Sequence, residues 1–267
     1  MSNSNTFNQR YGPWAVVTGA SDGIGRAFAT ELAAAGVNLV LVARRRNVLE
    51  ELAVELQRAH GITCDVLDID LARADGAAKL VSAATNRDIG LLVGAAGFGT
   101  SGPFLDNSIE TELEMIDVNC RAVVELAHFY GAQFVSRGSG GLVFMSSLLA
   151  FQGVPRAANY AATKAYVQVL AEGLRRELAP KNVDVLAVAP GPIDSGFGRR
   201  ANMTMSMSMS EGPAVVARGA LAALGRRGTT RPGRLSKLLG GSLSPLPRTL
   251  RTRIMGQVMA GMTKRPP

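Results

Sequence analysis

Two side chains four positions apart have the types and spacing needed for acid–base chemistry. Tyr160 and Lys164 occur in the segment Tyr-Ala-Ala-Thr-Lys. If this segment is helical, the phenol and the ammonium share one face and point into the same cleft. A nearby cation favours the phenolate and would bring the tyrosine pKa down from about 10 toward the working range of a catalyst. Because a bare Tyr-x3-Lys spacing is also common as a surface pair, the hypothesis needs support from other residues.

A serine at a predicted strand end supplies part of that support. Ser147 follows the apolar run 141–145 and lies 13 residues before Tyr160. In open α/β sheets, ligands bind at the carboxyl ends of the strands. The serine hydroxyl is therefore predicted to lie near the tyrosine, in a ligand-binding crevice.

A glycine-rich turn near the start of the chain predicts a dinucleotide site. The segment Thr-Gly-Ala-Ser-Asp-Gly-Ile-Gly directly follows the predicted strand 14–17 and opens a predicted helix. Gly19 permits the sharp turn, Gly23 lets the backbone approach a pyrophosphate, and Gly25 allows helix and strand to pack closely. The alternative is a purely structural turn, but the strand before it and the helix after it favour phosphate binding. The predicted contacts are Gly19, Ser21, Asp22, Gly23, Ile24 and Gly25.

Three arginines after the second predicted strand bear on the choice of dinucleotide. In such folds an acid at this position binds the ribose 2′-hydroxyl of NAD, whereas arginine accommodates the 2′-phosphate of NADP. Here Arg44, Arg45 and Arg46 follow Ala43, and the first carboxylate is Glu50. A guanidinium matches a phosphate well. We therefore predict NADP(H), bound mainly by Arg44 and secondarily by Arg45, with a solvated charge run as the alternative.

Short apolar runs alternate with helical stretches over most of the chain, which predicts βαβ units and a parallel sheet. No linker or repeat divides them, so we expect one domain over 1–267, with a flexible N-terminus at 1–12. The pattern loosens after Ser195, where we expect a substrate lid and a C-terminal helical region over 197–267. The predicted strands are 14–17, 37–42, 62–67, 89–93, 141–145 and 183–188, and the principal predicted helices are 24–35, 49–59, 110–137, 157–179, 213–225 and 246–262.

Composition narrows the possible classes of protein. With 47% hydrophobic residues and 30 glycines in 267, the chain can bury a large core and make many tight turns. It shows no signal-peptide pattern and no run of 18 apolar residues, so a cytoplasmic location is expected. Cys64 and Cys120 lie in apolar patterns and are expected to be reduced core residues. No His/Cys cluster has metal-ligand spacing, so no metal is expected.

The net charge of +8 is concentrated at one end of the chain. No Asp or Glu follows Glu211, whereas eleven Lys and Arg lie between Arg218 and Arg265. A basic protein invites a nucleic-acid hypothesis, but the charge is local and no nucleic-acid motif accompanies it. We therefore predict no nucleic-acid partner.

As a set, these motifs resemble the short-chain dehydrogenase/reductase family, in its NADP-preferring branch. The glycine turn, Asn119 after Val118, Ser147, the Tyr160–Lys164 pair and Pro190-Gly191 occur in the family's order over roughly residues 14–195. The resemblance implies an α/β fold: a Rossmann-type doubly wound parallel sheet of about seven strands with helices on both faces. It also implies an NADP(H)-dependent oxidoreductase acting on a carbonyl or alcohol, and a homodimer or homotetramer.

The resemblance also implies roles for particular residues. Tyr160 would exchange a proton with the substrate oxygen, which Ser147 would hydrogen-bond. Lys164 would lower the tyrosine pKa and hold the nicotinamide ribose, while Asn119 would position a water. The remaining implied cofactor contacts are Asp70 and Leu71 after the third strand, Ala95, Ala96 and Gly97 after the fourth, and Pro190, Gly191, Ile193 and Ser195 after the sixth.

One segment departs from the family pattern. Where the family has Asn-Asn-Ala-Gly after the fourth strand, this chain has Gly94-Ala95-Ala96-Gly97. The loss of two amide side chains puts in doubt the hydrogen bonds that brace the central strands. The small residues still leave room for the adenosine ribose.

The substrate is predicted to be apolar: a ketone, acyl or steroid-like carbonyl compound or alcohol. The expected pocket residues are Phe98, Phe104, Leu148, Phe151 and Phe197. An NAD-dependent alcohol dehydrogenase is the alternative enzyme, and a dinucleotide-sensing protein without turnover is the alternative outside enzymes. Arg44 argues against the first, and the intact Ser147, Tyr160 and Lys164 argue against the second.

Two C-terminal features admit more than one reading. Met203, Met205, Met207 and Met209 alternate with Ser and Thr and could form a substrate lid or an unspecific loop. An apolar stripe with arginines beside it, over 246–262, could bind an anionic membrane surface or an acidic carrier protein. It could equally pack on its own domain or on a second subunit. The stripe consists of Leu246, Leu250, Ile254, Val258 and Met262.

Overall fold

Seven parallel strands form one sheet in the order β3-β2-β1-β4-β5-β6-β7. A computed structural model describes residues 2–201, 210–243 and 245–262 of the chain. All six strands expected from the sequence are present, and the doubly wound Rossmann-type architecture is confirmed. The strands are β1 (Trp14–Thr18), β2 (Asn38–Ala43), β3 (Cys64–Asp68), β4 (Ile89–Gly94), β5 (Gly140–Met145), β6 (Val183–Val188) and β7 (Thr229–Thr230).

Helices cover both faces of this sheet, so its central strands are continuously apolar. Every residue of β4 and β5 is buried. Neighbouring side chains on a strand point to opposite faces, and Leu91 and Leu92 accordingly enter two different hydrophobic cores. The helices are α1 (Ser2–Tyr11), α2 (Gly23–Ala34), α3 (Arg46–His60), α4 (Gly76–Ala84), α5 (Ile109–Ile116), α6 (Ala122–Arg137), α7 (Ala158–Leu178), α8 (Gly196–Arg200), α9 (Pro213–Ala223), α10 (Arg234–Leu243) and α11 (Arg248–Met262).

The order of the strands creates a crevice between β1 and β4. The chain adds β2 and β3 on one side of β1 and then crosses to add β4 on its other side. The loops that follow β1 and β4 therefore diverge to opposite faces, which leaves an opening at the carboxyl edge. The glycine turn after β1 and the Gly94-Ala95-Ala96-Gly97 segment meet at this opening.

The long helix expected over 110–137 is interrupted. A π-helical turn over Asp117–Arg121 separates α5 from α6. Such turns add one residue to the helical spacing and recur at functional sites. The interruption turns Asn119 inward, where its side chain is almost fully buried.

The N-terminal segment, for which we expected a flexible stretch over 1–12, contains a helix. Residues 2–11 form α1, and Tyr11 at its end is buried. The Tyr11 hydroxyl donates to Asp184 at 2.7 Å, and Arg10 forms an ion pair with the same carboxylate at 2.7 Å. The sequence of α1 is polar with little apolar periodicity, so its order comes from this tertiary contact with β6.

The C-terminal region also differs in detail from expectation. Strand β7 and helix α10 were not predicted, and Met203, Met205, Met207 and Met209 lie outside the described residues. On α11 the buried side chains are Met255 and Met259, whereas Leu250 and Val258 of the expected stripe are more than two-fifths exposed. The burial of Met255 and Met259 favours packing of α11 on its own domain.

Within the described residues, no helix is long and apolar enough to cross a membrane.

The fully buried Leu91 offers a test of the core. Leu91→Ala should lower the free energy of unfolding by about 2–5 kcal/mol, because it leaves a cavity between the central strands and the helices. The matched control is Leu105→Ala, at a residue that is 90% exposed, which should change stability by less than about 0.5 kcal/mol. Urea titrations of both variants measure the difference. Similar losses at the two positions would contradict the packing described here.

Candidate active site

One large cavity opens at the carboxyl edge of the sheet. Its volume is about 1400 Å³, and it runs from the glycine turn after β1 to the inner face of α11. The predicted site residues that line it are Gly19, Ser21, Asp22, Gly23, Ile24, Gly25, Arg44, Arg45, Asp70, Leu71, Ala95, Ala96, Gly97, Ser147, Tyr160, Lys164, Pro190, Gly191, Ile193 and Ser195. Asn119 lies behind this wall. The structure therefore brings residues from the ends of six strands, β1 to β6, into one site together with Tyr160 and Lys164 of α7.

The glycine turn requires its glycines for reasons of space. Gly19 has φ +67°, and a Cβ there would come within 2.8 Å of the Ala95 carbonyl oxygen. A Cβ on Gly25 would overlap the Gly19 carbonyl oxygen. The side chain of Asp22 does not cap the first turn of α2. The amides at this helix start can therefore hold an anion such as a pyrophosphate.

The three neighbouring arginines have different surroundings. Arg45 donates from Nη2 to the Ser21 hydroxyl at 3.0 Å and to the Ser21 carbonyl at 3.1 Å. Arg44 forms an exposed ion pair with Glu114 at 3.3 Å. Both line the cavity, whereas Arg46 turns away and pairs with Glu50 and Asp68. The contact with Ser21 places Arg45 beside the glycine turn, so the structure favours Arg45 at least as much as Arg44 for binding a phosphate.

Helix α7 presents Tyr160 and Lys164 on its buried face. Lys164 donates from Nζ to the Met145 carbonyl at 2.9 Å, and this nitrogen lies 5.8 Å from the centre of the Tyr160 ring. The Ser147 hydroxyl accepts a hydrogen bond from the Leu149 amide at 3.2 Å and lines the same cavity as Tyr160. The three side chains thus converge where β5 ends.

The acid–base state of this pair differs from the expectation that lysine would lower the tyrosine pKa. Burial raises the pKa of Tyr160 to about 12, against an opposing effect of the Ser147 hydrogen bond. Burial lowers the pKa of Lys164 to about 8. Removal from water is the largest cause of both pKa shifts, and the ammonium is directed to the Met145 carbonyl. In this state Tyr160 is a protonated phenol at neutral pH and can act as a proton donor.

Asn119 supports the site from behind. Its amide nitrogen donates to the Phe98 carbonyl at 2.9 Å and to the Thr163 hydroxyl at 3.0 Å, and its oxygen accepts from the Phe98 amide at 3.2 Å. A Cβ on Gly97 would lie 2.9 Å from the Asn119 oxygen and 3.3 Å from Lys164 Nζ. Asn119 and Lys164 therefore border the same glycine.

The segment after β4 lacks the two asparagine side chains of the family pattern. The Thr18 hydroxyl makes hydrogen bonds that join the central strands there. The Thr18 hydroxyl accepts a hydrogen bond from the Ala96 amide at 3.0 Å and lies 3.4 Å from the Val93 carbonyl. This contact ties the end of β1 to the end of β4 without amide side chains.

Sequence reasoning missed the C-terminal wall of the cavity and misplaced one aromatic residue. Residues of α11 line the cavity, together with Arg231 after β7, and Met255 and Met259 pack in one cluster with Tyr160. They are distant in sequence from every motif, so no spacing pattern connects them to the site. Phe104 is half exposed and does not line the cavity, whereas Phe98, Leu148, Phe151 and Phe197 do.

The described residues contain no cluster suited to a metal ion.

Comparison with known proteins identifies the family. The short chain dehydrogenase family profile matches residues 13–206. The chain is 36% identical over 185 residues to 7beta-hydroxysteroid dehydrogenase of Clostridium sardiniense, which covers 69% of this chain and 71% of the relative. The chain therefore belongs to the short-chain dehydrogenase/reductase family of oxidoreductases.

Solved structures agree with this assignment. One comes from work on 7beta-hydroxysteroid dehydrogenase stereoselectivity and superimposes with a TM-score of 0.86 at 25% identity, over 93% of this chain and 98% of its own. Another is a short-chain dehydrogenase from Sphingobium yanoikuyae in complex with NADPH. It has a TM-score of 0.78 at 30% identity, over 88% of this chain and 97% of its own.

The buried Lys164 predicts a particular dependence of stability on pH. Because its pKa is about 8 in the folded protein and 10.5 otherwise, the unfolded chain binds more protons between these values. The free energy of unfolding contributed by this group should therefore rise as pH increases from 8 to 10.5. Denaturant titrations without added dinucleotide should show this rise in the wild type relative to Lys164→Met. Parallel curves for the two proteins would contradict burial of the ammonium.

Proposed function

We propose that this protein is an NADP(H)-dependent oxidoreductase that interconverts a bulky apolar ketone and its alcohol. The observation that carries the proposal is the convergence of Tyr160, Ser147 and Lys164 in a cavity that also contains the glycine turn. The similarity to 7beta-hydroxysteroid dehydrogenase, and to a relative that binds NADPH, supports the same class of reaction.

The cofactor would occupy one half of the cavity. The glycine turn would hold the pyrophosphate, and Arg45, Ser21 and Arg44 would bind the 2′-phosphate. Asp70 and Leu71 would border the adenine, Ala95, Ala96 and Gly97 the adenosine ribose, and Pro190, Gly191, Ile193 and Ser195 the nicotinamide. Bound in this way, NADPH would supply the hydride for the carbonyl carbon.

The side chains of the chain itself handle the substrate oxygen. Ser147 orients the carbonyl oxygen by donating a hydrogen bond, and Tyr160 delivers its hydroxyl proton to that oxygen. The raised pKa of Tyr160 keeps this proton in place at neutral pH until the substrate is bound. Lys164 lies close enough to stabilise the resulting phenolate, and Asn119 holds the adjoining backbone through Phe98. In the alcohol-oxidising direction, Tyr160 accepts the proton.

The surroundings of Tyr160 favour an apolar substrate. Its ring lies 5.4 Å from that of Phe197, and its cluster includes Met115, Met255 and Met259. Methionine side chains adapt to irregular shapes, which suits a large rigid molecule. This environment, together with the steroid dehydrogenase relatives, favours a polycyclic ketone over a small polar one.

Removal of the Tyr160 hydroxyl tests the proposed chemistry. Tyr160→Phe should lower kcat by about 100-fold or more, because the proton donor is lost while the ring still packs. NADPH affinity, followed by fluorescence titration, should remain within about threefold. Tyr166→Phe, on the exposed side of the same helix, is the matched control and should retain full turnover. Retention of most activity in Tyr160→Phe would refute the mechanism.

The neighbouring arginines test the choice of cofactor. Arg44→Ala and Arg45→Ala should each weaken NADPH binding by about 1–3 kcal/mol while changing NADH binding little, because only NADPH carries the 2′-phosphate. Arg46→Ala is the control, since Arg46 lies outside the cavity. Dissociation constants measured for both dinucleotides decide the question. Equal weakening of NADPH and NADH would mean that these arginines do not bind the 2′-phosphate.

A further inference from the structure

Two further arginines, Arg231 and Arg251, line the cavity at the end away from Arg44 and Arg45. Arg231 follows β7, and Arg251 lies in the first turn of α11. Both contact Phe151: the Arg231 guanidinium carbon lies 4.6 Å from its ring centre, and Arg251 Nη1 is 3.5 Å from its carbonyl oxygen. Because one residue contacts both side chains, the two guanidinium groups lie in the same corner of the cavity.

These two arginines lack anionic partners among the described residues. The Nε atom of each is buried without a hydrogen-bond partner in that part of the chain, and no ion pair involves either side chain. Three acidic side chains line the cavity: Asp70 after β3, Asp22, which pairs with Arg200, and Glu114 on α5, which pairs with Arg44. Buried guanidinium donors without partners are costly, and a bound anion would satisfy them.

We propose that Arg231 and Arg251 form a subsite for a carboxylate carried by the ketone substrate. A guanidinium fork binds a carboxylate through two parallel hydrogen bonds, and two such groups at one corner would define the orientation of the bound molecule. This inference rests on the proposed function and adds to it the chemical class of the substrate: a large apolar ketone with an acidic group at its far end.

The position of the arginines relative to Ser147 favours a long substrate. Ser147 immediately precedes the 3-10 helix Leu148–Phe151, and the arginines contact the last residue of that helix. Four residues at about 2.0 Å each separate the two ends by about 8 Å. Between them the cavity is lined by Leu148, Leu149, Met255 and Met259. This separation favours a substrate whose acid and carbonyl lie at opposite ends of an apolar body over short 2-oxo and 3-oxo acids.

Binding of a fluorescent probe pair tests the subsite without catalysis. Pyrenebutyrate and its methyl ester have the same apolar body and differ in charge. The wild type should bind the acid about 10-fold to 100-fold more tightly than the ester, as a charge-assisted contact predicts. Arg231→Gln, Arg251→Gln and the double variant should bring this ratio close to one. Arg253→Gln, on the exposed side of the same helix, should leave it unchanged.

A parallel kinetic measurement connects the subsite to turnover. With NADPH, the wild type should reduce a 7-oxo steroid carboxylic acid with a KM at least about tenfold below that of its methyl ester, with similar kcat. The variants should lose the difference in KM but keep their kcat on the ester, which shows that the fold and the acid–base residues are intact.

The two measurements separate the possible failures. If acid and ester bind equally to the wild type, or if the double variant keeps the preference, the subsite is refuted. If the probe preference follows the arginines but no ketone is reduced, the proposed function fails while the anion site stands.

Discussion

The buried ammonium of Lys164 is the group on which the geometry of the site depends. Its Nζ donates to the Met145 carbonyl at the end of β5, and this bond ties α7 to the central sheet. Ser146 reinforces the tie by donating from its hydroxyl to the Lys164 carbonyl at 3.2 Å. Because a buried cation without a hydrogen-bond acceptor is strongly destabilising, the position of α7 along β5 is restricted. That restriction also places Tyr160 beside Ser147.

The same burial determines the chemistry available to the site. Removal from water raises the pKa of Tyr160 and lowers the pKa of Lys164, so both groups shift toward their neutral forms. A neutral phenol beside a hydroxyl suits donation of a proton to a carbonyl oxygen. The cavity also has arginines at both ends and an apolar middle. This distribution of charge matches a dinucleotide phosphate at one end and an acidic substrate group at the other.

Much of the framework could be predicted because it depends on local pattern. The alternation of apolar runs and helices follows from a parallel sheet covered on both faces, and Gly19 and Gly25 are required by close backbone approach. The interruption at Asp117–Arg121, the order of α1 and the wall formed by α11 had no local pattern to reveal them. Each depends on a distant partner: Thr163 for Asn119, Asp184 for Tyr11, and the Tyr160 cluster for Met255.

The sequence by itself determined the family, the sheet architecture and nearly all the residues that line the cavity around the glycine turn, because those features are encoded by residue type at short spacing. Tertiary structure determined three further properties of the site: the positions of the arginines after β2, the pKa of Tyr160 and the pairing of Arg231 with Arg251. It turned Arg46 away from the cavity while leaving Arg45 beside Ser21. It raised the pKa of Tyr160 through burial. It brought Arg231 and Arg251 together at Phe151, because only the folded sheet and α11 place residues so far apart in sequence around one cavity.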